Sequence, residues 1–96
     1  MTNIPNMKRI VIDIEGRVQG VFFRYSTKKT AKKLGLEGYA QNMADGSVHI
    51  EAQGSKEKLE ELLEFAKEGP RMARVDDIEY EYKEPVENFG HHRYKF

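Results

Sequence analysis

Segments with the hydrophobic pattern of a strand and segments with that of a helix follow one another along this chain, and their order limits the possible folds more than any other feature. Residues 9–15 carry isoleucine at every second position, the pattern of a half-buried strand, and Gly16 is expected to end it. Residues 24–34 then place apolar and small side chains on one helical stripe, with Gly35 as the C-terminal stop. The chain therefore begins with a strand followed by a helix.

A hairpin is predicted next. Residues 39–44 and 47–53 flank Asp45-Gly46, a dipeptide that suits the positive backbone angles of a tight turn. The second arm alternates strictly, with Val48, Ile50 and Ala52 on one side and His49, Glu51 and Gln53 on the other. The first arm is irregular and is placed by its position in the hairpin.

The last third of the chain predicts a second helix and a further strand. Ser55 can cap a helix that runs through Lys67 with leucines at helical spacing. A strand with Ile78, Tyr80 and Tyr82 on one face follows, and a short last strand is expected around His92, Tyr94 and Phe96. The order predicts an α+β fold of split β-α-β-β-α-β type, in which two helices cover one face of a mainly antiparallel sheet. The uncovered face is polar and is expected to meet water.

Composition excludes several kinds of site. The chain has 96 residues and no cysteine, which excludes disulfides, zinc–thiolate sites, iron–sulfur clusters and cysteine nucleophiles. Its length predicts one domain, residues 8–96, after a short extension, residues 1–7. We recognise neither a membrane span nor a signal peptide, and we therefore expect a soluble, cytoplasmic protein.

Charge is balanced overall but not along the chain. Sixteen basic and sixteen acidic residues cancel, whereas residues 1–48 hold eight Lys/Arg against four Asp/Glu. An anion site is therefore more probable in the first half. Lys28, Lys29, Lys32 and Lys33 make the first helix basic, which we interpret as a solvated face in preference to a device that attracts anions.

The most informative segment runs from Gly16 to Arg24, between the first strand and the first helix. Backbone N–H groups at a helix start lack internal partners, and a curled loop can aim several of them at one phosphate. Gly16 and Gly20 allow the backbone angles that such a cradle needs, and Arg24 can bind two phosphate oxygens. The alternative is an ordinary strand-to-helix turn followed by a solvated arginine, and spacing alone favours that alternative.

Several motifs resemble those of the acylphosphatase family. The first is the segment from Ile14 to Arg24. The second is Gly38-Tyr39-Ala40-Gln41-Asn42, followed by Asp45-Gly46, Val48 and Gly54. Gly69-Pro70, Ala73 and Val75 resemble a third stretch of the family, so the likeness extends from Met7 to Phe96. The resemblance implies a ferredoxin-like fold.

The resemblance also implies roles for individual residues. Arg24 is then the catalytic, phosphate-binding arginine, and Asn42 positions the attacking water. The phosphate cradle is the backbone of Arg17, Val18, Gln19, Gly20, Val21 and Phe22. In some members of the family the terminal carboxylate pairs with the catalytic arginine, which here concerns Phe96, although the tail from Gly90 to Phe96 departs from the family pattern.

The implied activity is metal-independent hydrolysis of an acyl phosphate to a carboxylate and inorganic phosphate, with phosphate as a competitive inhibitor. We expect no cofactor, because no paired carboxylates stand near the loop and because His91 and His92, adjacent in a strand, point to opposite faces. We also expect a monomer with no membrane or nucleic-acid partner.

The alternative is a non-catalytic anion-binding or RNA-binding module with the same fold. RNA binding is disfavoured because His49, Glu51 and Gln53 stand where a sheet surface would need aromatic stacking platforms.

Overall fold

The computed structural model describes residues 6–87, 89 and 96. Its elements are β1 (Met7–Arg17), α1 (Phe23–Lys33), β2 (Glu37–Asn42), β3 (Val48–Ser55), α2 (Lys56–Glu68) and β4 (Arg74–Lys83). The strands form one sheet in the order β2-β3-β1-β4, with every neighbouring pair antiparallel. The predicted fold class is therefore confirmed. The predicted last strand around His92 and Tyr94, and residues 1–5 of the predicted extension, lie outside the described residues.

The hydrophobic core fills the space between the two helices and one face of the sheet. Ile10, Ile12 and Ile14 are fully buried, as their alternation predicted. The helices contribute Phe23, Thr27 and Ala31 from α1, and Leu59, Leu62, Leu63 and Ala66 from α2. Burial of each large apolar side chain contributes about 1.5–3 kcal/mol, so this layer holds α1 firmly against the sheet.

Strand β1 is longer than predicted, because Gly16 does not end it. Its register with β4 shifts between Glu15 and Gly16, and pairing continues to Arg17, opposite Arg74. Gly16 has a φ of 135°, and a Cβ there would overlap the carbonyl oxygen of Arg74 and lie 2.7 Å from the nitrogen of Asp76. The glycine thus forms a bulge that lets β4 approach the chain just before the loop.

The helix and hairpin boundaries are close to those predicted. Helix α1 begins one residue earlier, and Ser55 caps α2 by accepting a hydrogen bond from the backbone nitrogen of Lys58 at 3.3 Å. In the hairpin turn, the Met43 nitrogen donates to the Ser47 carbonyl at 2.8 Å, and Gly46 has a φ of 95°. Within the described residues, no helix is both long and apolar enough to span a membrane.

The open face of the sheet is polar, as predicted, but Gln53 on that face does not meet water. This side chain is only 5% exposed. Its amide donates to the Val86 carbonyl at 2.9 Å, and its carbonyl accepts from the Val86 nitrogen at 2.8 Å. Arg9 on β1 likewise donates to the Glu84 carbonyl at 3.2 Å. The segment after β4 therefore crosses the open face from β4 toward β3.

Candidate active site

The loop between β1 and α1, residues 17–22, is called the cradle loop below. Gly20 has a φ of 76° and open space where a Cβ would lie, so a glycine is needed there for its backbone angle. Phe22, directly before α1, also has a positive φ, 67°, and its side chain is 70% exposed. A non-glycine residue with a positive φ lowers the stability of the fold by about 1–3 kcal/mol. The surrounding structure therefore imposes this backbone conformation on Phe22.

Backbone donors of the cradle loop are free to bind a ligand. The N–H groups of residues 19–22 donate to no carbonyl or side chain in the described part of the chain. The first N–H groups of α1, from Phe23 onward, lack acceptors because no helical turn precedes them. These donors, together with the positive end of the helix dipole, suit a phosphate-sized anion.

Arg24 and Asn42 line one cavity of about 270 Å³, which is called the first cavity below. In the sequence these two residues are separated by most of a helix and a strand. Arg24 is the second residue of α1, and Asn42 is the last residue of β2. The rest of the lining comes from Val18, Gly20, Phe22, Phe23 and Tyr25. The structure thus brings both predicted catalytic residues together with half of the predicted cradle residues.

The other three predicted cradle residues do not line the first cavity. Arg17 ends β1 and pairs with Arg74. Val21 is 5% exposed and packs in the core, and the side chain of Gln19 contacts the hairpin. The side chains of Val21 and Gln19 are engaged elsewhere, so only the main chain of these two residues is left for an anion.

The two polar side chains of the first cavity are uncommitted. Among residues 6–87, 89 and 96, the Arg24 guanidinium makes no ion pair or hydrogen bond, and the Asn42 carboxamide makes no hydrogen bond. The ion pairs of these residues accordingly include none between Arg24 and the Phe96 carboxylate. An exposed guanidinium with five donors can grip two oxygens of a phosphoryl group, and the carboxamide oxygen can accept a hydrogen bond from water.

Gln19 joins the cradle loop to the hairpin that follows Asn42. Its side-chain amide donates to the carbonyls of Met43 at 2.8 Å and Ser47 at 2.9 Å. Asp45 stabilises the same turn, because one carboxylate oxygen accepts from the Ser47 hydroxyl at 2.6 Å and from the Ser47 nitrogen at 2.9 Å. The hydrogen bond from the Ser47 hydroxyl lowers the pKa of Asp45. Gln19 therefore ties the cradle loop to the turn that directly follows Asn42.

Sequence reasoning predicted a role for the main chain of Gln19 but missed its side chain, because no local pattern reveals a contact with a turn more than twenty residues away. It also missed a second cavity, of about 350 Å³, that adjoins the first. The second cavity is lined by Arg24, Tyr25, Lys28, Gly38, Tyr39, Ala40 and Phe96. The four-residue spacing of Arg24 and Lys28 could have revealed that they share one face of α1.

No group of three or more His, Asp or Glu side chains within the described residues is placed to hold a metal ion. His49, the one histidine among them, has its Nδ1 2.6 Å from a carboxylate oxygen of Asp13, on the open face of the sheet.

Comparisons with known proteins agree on one family. A family model for acylphosphatase matches residues 10–95. The chain is 47% identical over 88 residues to an acylphosphatase of Thermus thermophilus, covering 92% of this chain and 100% of that one. It is 46% identical over 85 residues to an acylphosphatase of Caldanaerobacter subterraneus, covering 85% and 94%. The crystal structure of acylphosphatase from Bacillus subtilis superposes with a TM-score of 0.81 at 36% identity, covering 84% of this chain and 90% of that one.

Proposed function

This chain belongs to the acylphosphatase family, and from that premise we propose that it hydrolyses the carboxyl–phosphate bond of acyl phosphates to a carboxylate and inorganic phosphate. The observation that carries the proposal is the first cavity, where free loop N–H groups, the Arg24 guanidinium and the Asn42 carboxamide meet. Its parts match what this reaction requires.

The leaving group explains why so few side chains suffice. An acyl phosphate is a mixed anhydride, and its departing carboxylate is stable as an anion near neutral pH. Cleavage of the P–O bond therefore needs no general acid. It needs the phosphoryl oxygens to be held and a water molecule to be aligned opposite the leaving oxygen.

Arg24 and the cradle loop hold the phosphoryl group in this proposal. Fixed donors stabilise charge without reorganising, and they bind more tightly as the equatorial oxygens approach the geometry of the transition state. The hydrogen bonds from Gln19 and the positive φ of Gly20 and Phe22 keep these donors in place before substrate arrives.

Asn42 orients the attacking water through its side-chain carbonyl oxygen. An amide is not a base, so the proton of the water passes to an oxygen of the phosphoryl group itself. The new P–O bond then gives inorganic phosphate, and the electron pair of the broken bond leaves with the carboxylate. Because the product fits the same donors as the substrate, we expect phosphate to inhibit competitively.

A metal ion is not required by this mechanism, since the guanidinium and main-chain donors already neutralise the phosphoryl charge. A silent anion-binding domain would keep the same cavity but would show no turnover. An RNA-binding surface is opposed by the open face of the sheet, where Glu51 is paired with Arg9 and with the Tyr39 hydroxyl. A monomeric state and a cytoplasmic location stay predictions.

The test is hydrolysis of benzoyl phosphate in the presence of a chelator, compared with the alkyl monoester glycerol 3-phosphate and with ATP. We expect rapid loss of benzoyl phosphate alone. Equal action on the monoester would contradict the proposal, because an alkoxide leaving group needs a general acid and the proposed mechanism supplies none. No turnover of any of the three would favour the silent domain.

Replacing Arg24 tests the phosphate site directly. We predict that Arg24→Ala loses both turnover and inhibition by inorganic phosphate, because one charge serves the ground state and the transition state. The measurements are kcat and the inhibition constant of phosphate, with Lys29→Ala on the same helix as the control. Phosphate inhibition that survives unchanged in Arg24→Ala would contradict the assignment.

A further inference from the structure

We propose that the second cavity binds the acyl part of the substrate, and that Lys28 favours acyl groups that carry a second negative charge. This inference rests on the proposed function and assigns a substrate class to it. It follows from the position, lining and charge of the second cavity.

The position of the second cavity suits the acyl group. Arg24 and Tyr25 line both cavities, so the second cavity opens directly beside the place where the phosphoryl group is held. Asn42 lines the first cavity and not the second. A water molecule bound to Asn42 would therefore lie in the first cavity, away from the second. In-line displacement requires water and leaving group on opposite sides of phosphorus, and the two cavities separate them.

The size and lining of the second cavity suit a small ring or a short chain. Its volume of about 350 Å³ is within the range of small-molecule sites, about 300–1,000 Å³. Tyr25, Tyr39 and Phe96 supply aromatic surface. Gly38 lies close to the Phe96 ring, because a Cβ at position 38 would be 2.8 Å from its Cε2 atom. A larger residue at 38 would displace this ring.

The charged side chains that line the second cavity, Arg24 and Lys28, are both basic, and within the described residues the terminal carboxylate of Phe96 pairs with neither. Lys28 lies one helical turn after Arg24, and no acidic side chain contributes to the lining. Within the described residues the Lys28 ammonium makes no ion pair or hydrogen bond. Of the four lysines of α1, only Lys28 lines the second cavity. A carboxylate or phosphate at the far end of the acyl group would therefore meet a free cation.

Two aryl acyl phosphates of similar size test the charge preference. We would measure kcat/KM for 4-carboxybenzoyl phosphate and for 4-methylbenzoyl phosphate. Both substrates are given to the unmodified protein, to Lys28→Gln and to Lys29→Gln. We expect Lys28→Gln to lower the ratio of kcat/KM values, carboxylated over methylated, by about fivefold, the size of one partly exposed charge pair. The two substrates differ in intrinsic reactivity, but this difference is the same for every protein variant. It therefore cancels when the ratio of kcat/KM values of one variant is compared with that of another.

Lys29→Gln is the matched control, because Lys29 has the same charge and neighbours Lys28 on α1 but does not line the second cavity. We expect it to leave the ratio unchanged. An unchanged ratio in Lys28→Gln, or an equal fall in both variants, would overturn the inference while leaving the proposed function intact. If the unmodified protein hydrolyses neither substrate, the proposed function fails as well.

A second variant tests the cavity independently of charge. Ala40→Leu would fill part of the second cavity, and we expect the ratio of kcat/KM values for 4-methylbenzoyl phosphate over acetyl phosphate to fall. The acyl group of acetyl phosphate is too small to be excluded by the added leucine side chain. Correct folding is checked by the thermal melt, and a folded variant with an unchanged ratio would show that the acyl group lies elsewhere.

Discussion

At the scale of single residues, the candidate site consists of polar groups that the fold exposes without giving them partners. Arg24 is surrounded by solvent at the start of α1, and Asn42 ends an edge strand, yet neither side chain is bound to another described residue. Neither hydrogen bonds nor ion pairs within the described residues hold these two side chains, so their proposed roles rest on what they can do for a ligand.

Asn42 should affect turnover more than binding. We predict that Asn42→Ala lowers kcat by about 10²-fold with little change in the inhibition constant of phosphate, as expected for the loss of one group that acts in the transition state. Gln41→Ala, one position earlier on β2, is the control. Normal turnover in a folded Asn42→Ala protein would remove its role in positioning water.

Gln19 should act through the shape of the cradle loop. Gln19→Leu keeps the size of the side chain but removes the two hydrogen bonds to Met43 and Ser47. We predict an inhibition constant for phosphate about tenfold higher, because misplaced donors bind an anion less well. Gln41→Leu, an exposed position on β2, is the control. Unchanged phosphate affinity together with an unchanged melt would show that the loop keeps its shape without these bonds.

At the scale of elements, sequence patterns located the helices and strands well, and the exceptions have identifiable causes. The alternating isoleucines of β1 and the helical spacing of the leucines in α2 predicted the faces that are buried in the structure. Gly16 was expected to stop β1, since a glycine after an alternating run usually does. Instead it continues β1 through a bulge, because β4, about sixty residues later, needs the space that a Cβ would fill.

The bulge can be tested with two glycines of different surroundings. Gly16→Ala should destabilise the protein by about 3 kcal/mol or more, since the methyl group would meet the backbone of Arg74 and Asp76 at an unfavourable φ. Gly46→Ala, with a positive φ but open space, should cost about 1 kcal/mol. Urea unfolding measures both. Equal losses would mean that the backbone angle, and not the approach of β4, explains the conformation at Gly16.

At the scale of the whole molecule, described residues after β4 contact strands that are not neighbours of β4 in the sheet. Gln53 binds the main chain of Val86 through two hydrogen bonds, and Phe96 lies against Gly38 on the far edge strand β2. The open face of the sheet therefore binds residue 86, and Phe96 lies at the edge of β2 beside the second cavity.

The hydrogen bonds of Gln53 should stabilise the folded state measurably. Gln53→Leu leaves the N–H and carbonyl groups of Val86 without their partner, and we predict a loss of about 2 kcal/mol. For a domain of this size, each kcal/mol corresponds to about 4–8 °C in Tm. Differential scanning calorimetry measures the shift, with Gln41→Leu as the exposed control. A Tm equal to that of the control would show that the segment is held by other contacts.

The sequence by itself determined the order of elements and the buried faces, because period and turn residues are local properties, and its resemblance to one family named the two candidate catalytic residues. The tertiary structure alone decided which groups meet. It placed Arg24 and Asn42 on the wall of one cavity, tied Gln19 to the hairpin, bound Gln53 to Val86 and opened a second cavity with Lys28 on its wall. Each of these contacts joins side chains or segments more than ten residues apart, whose meeting depends on how the sheet and helices pack, and no local pattern encodes that packing.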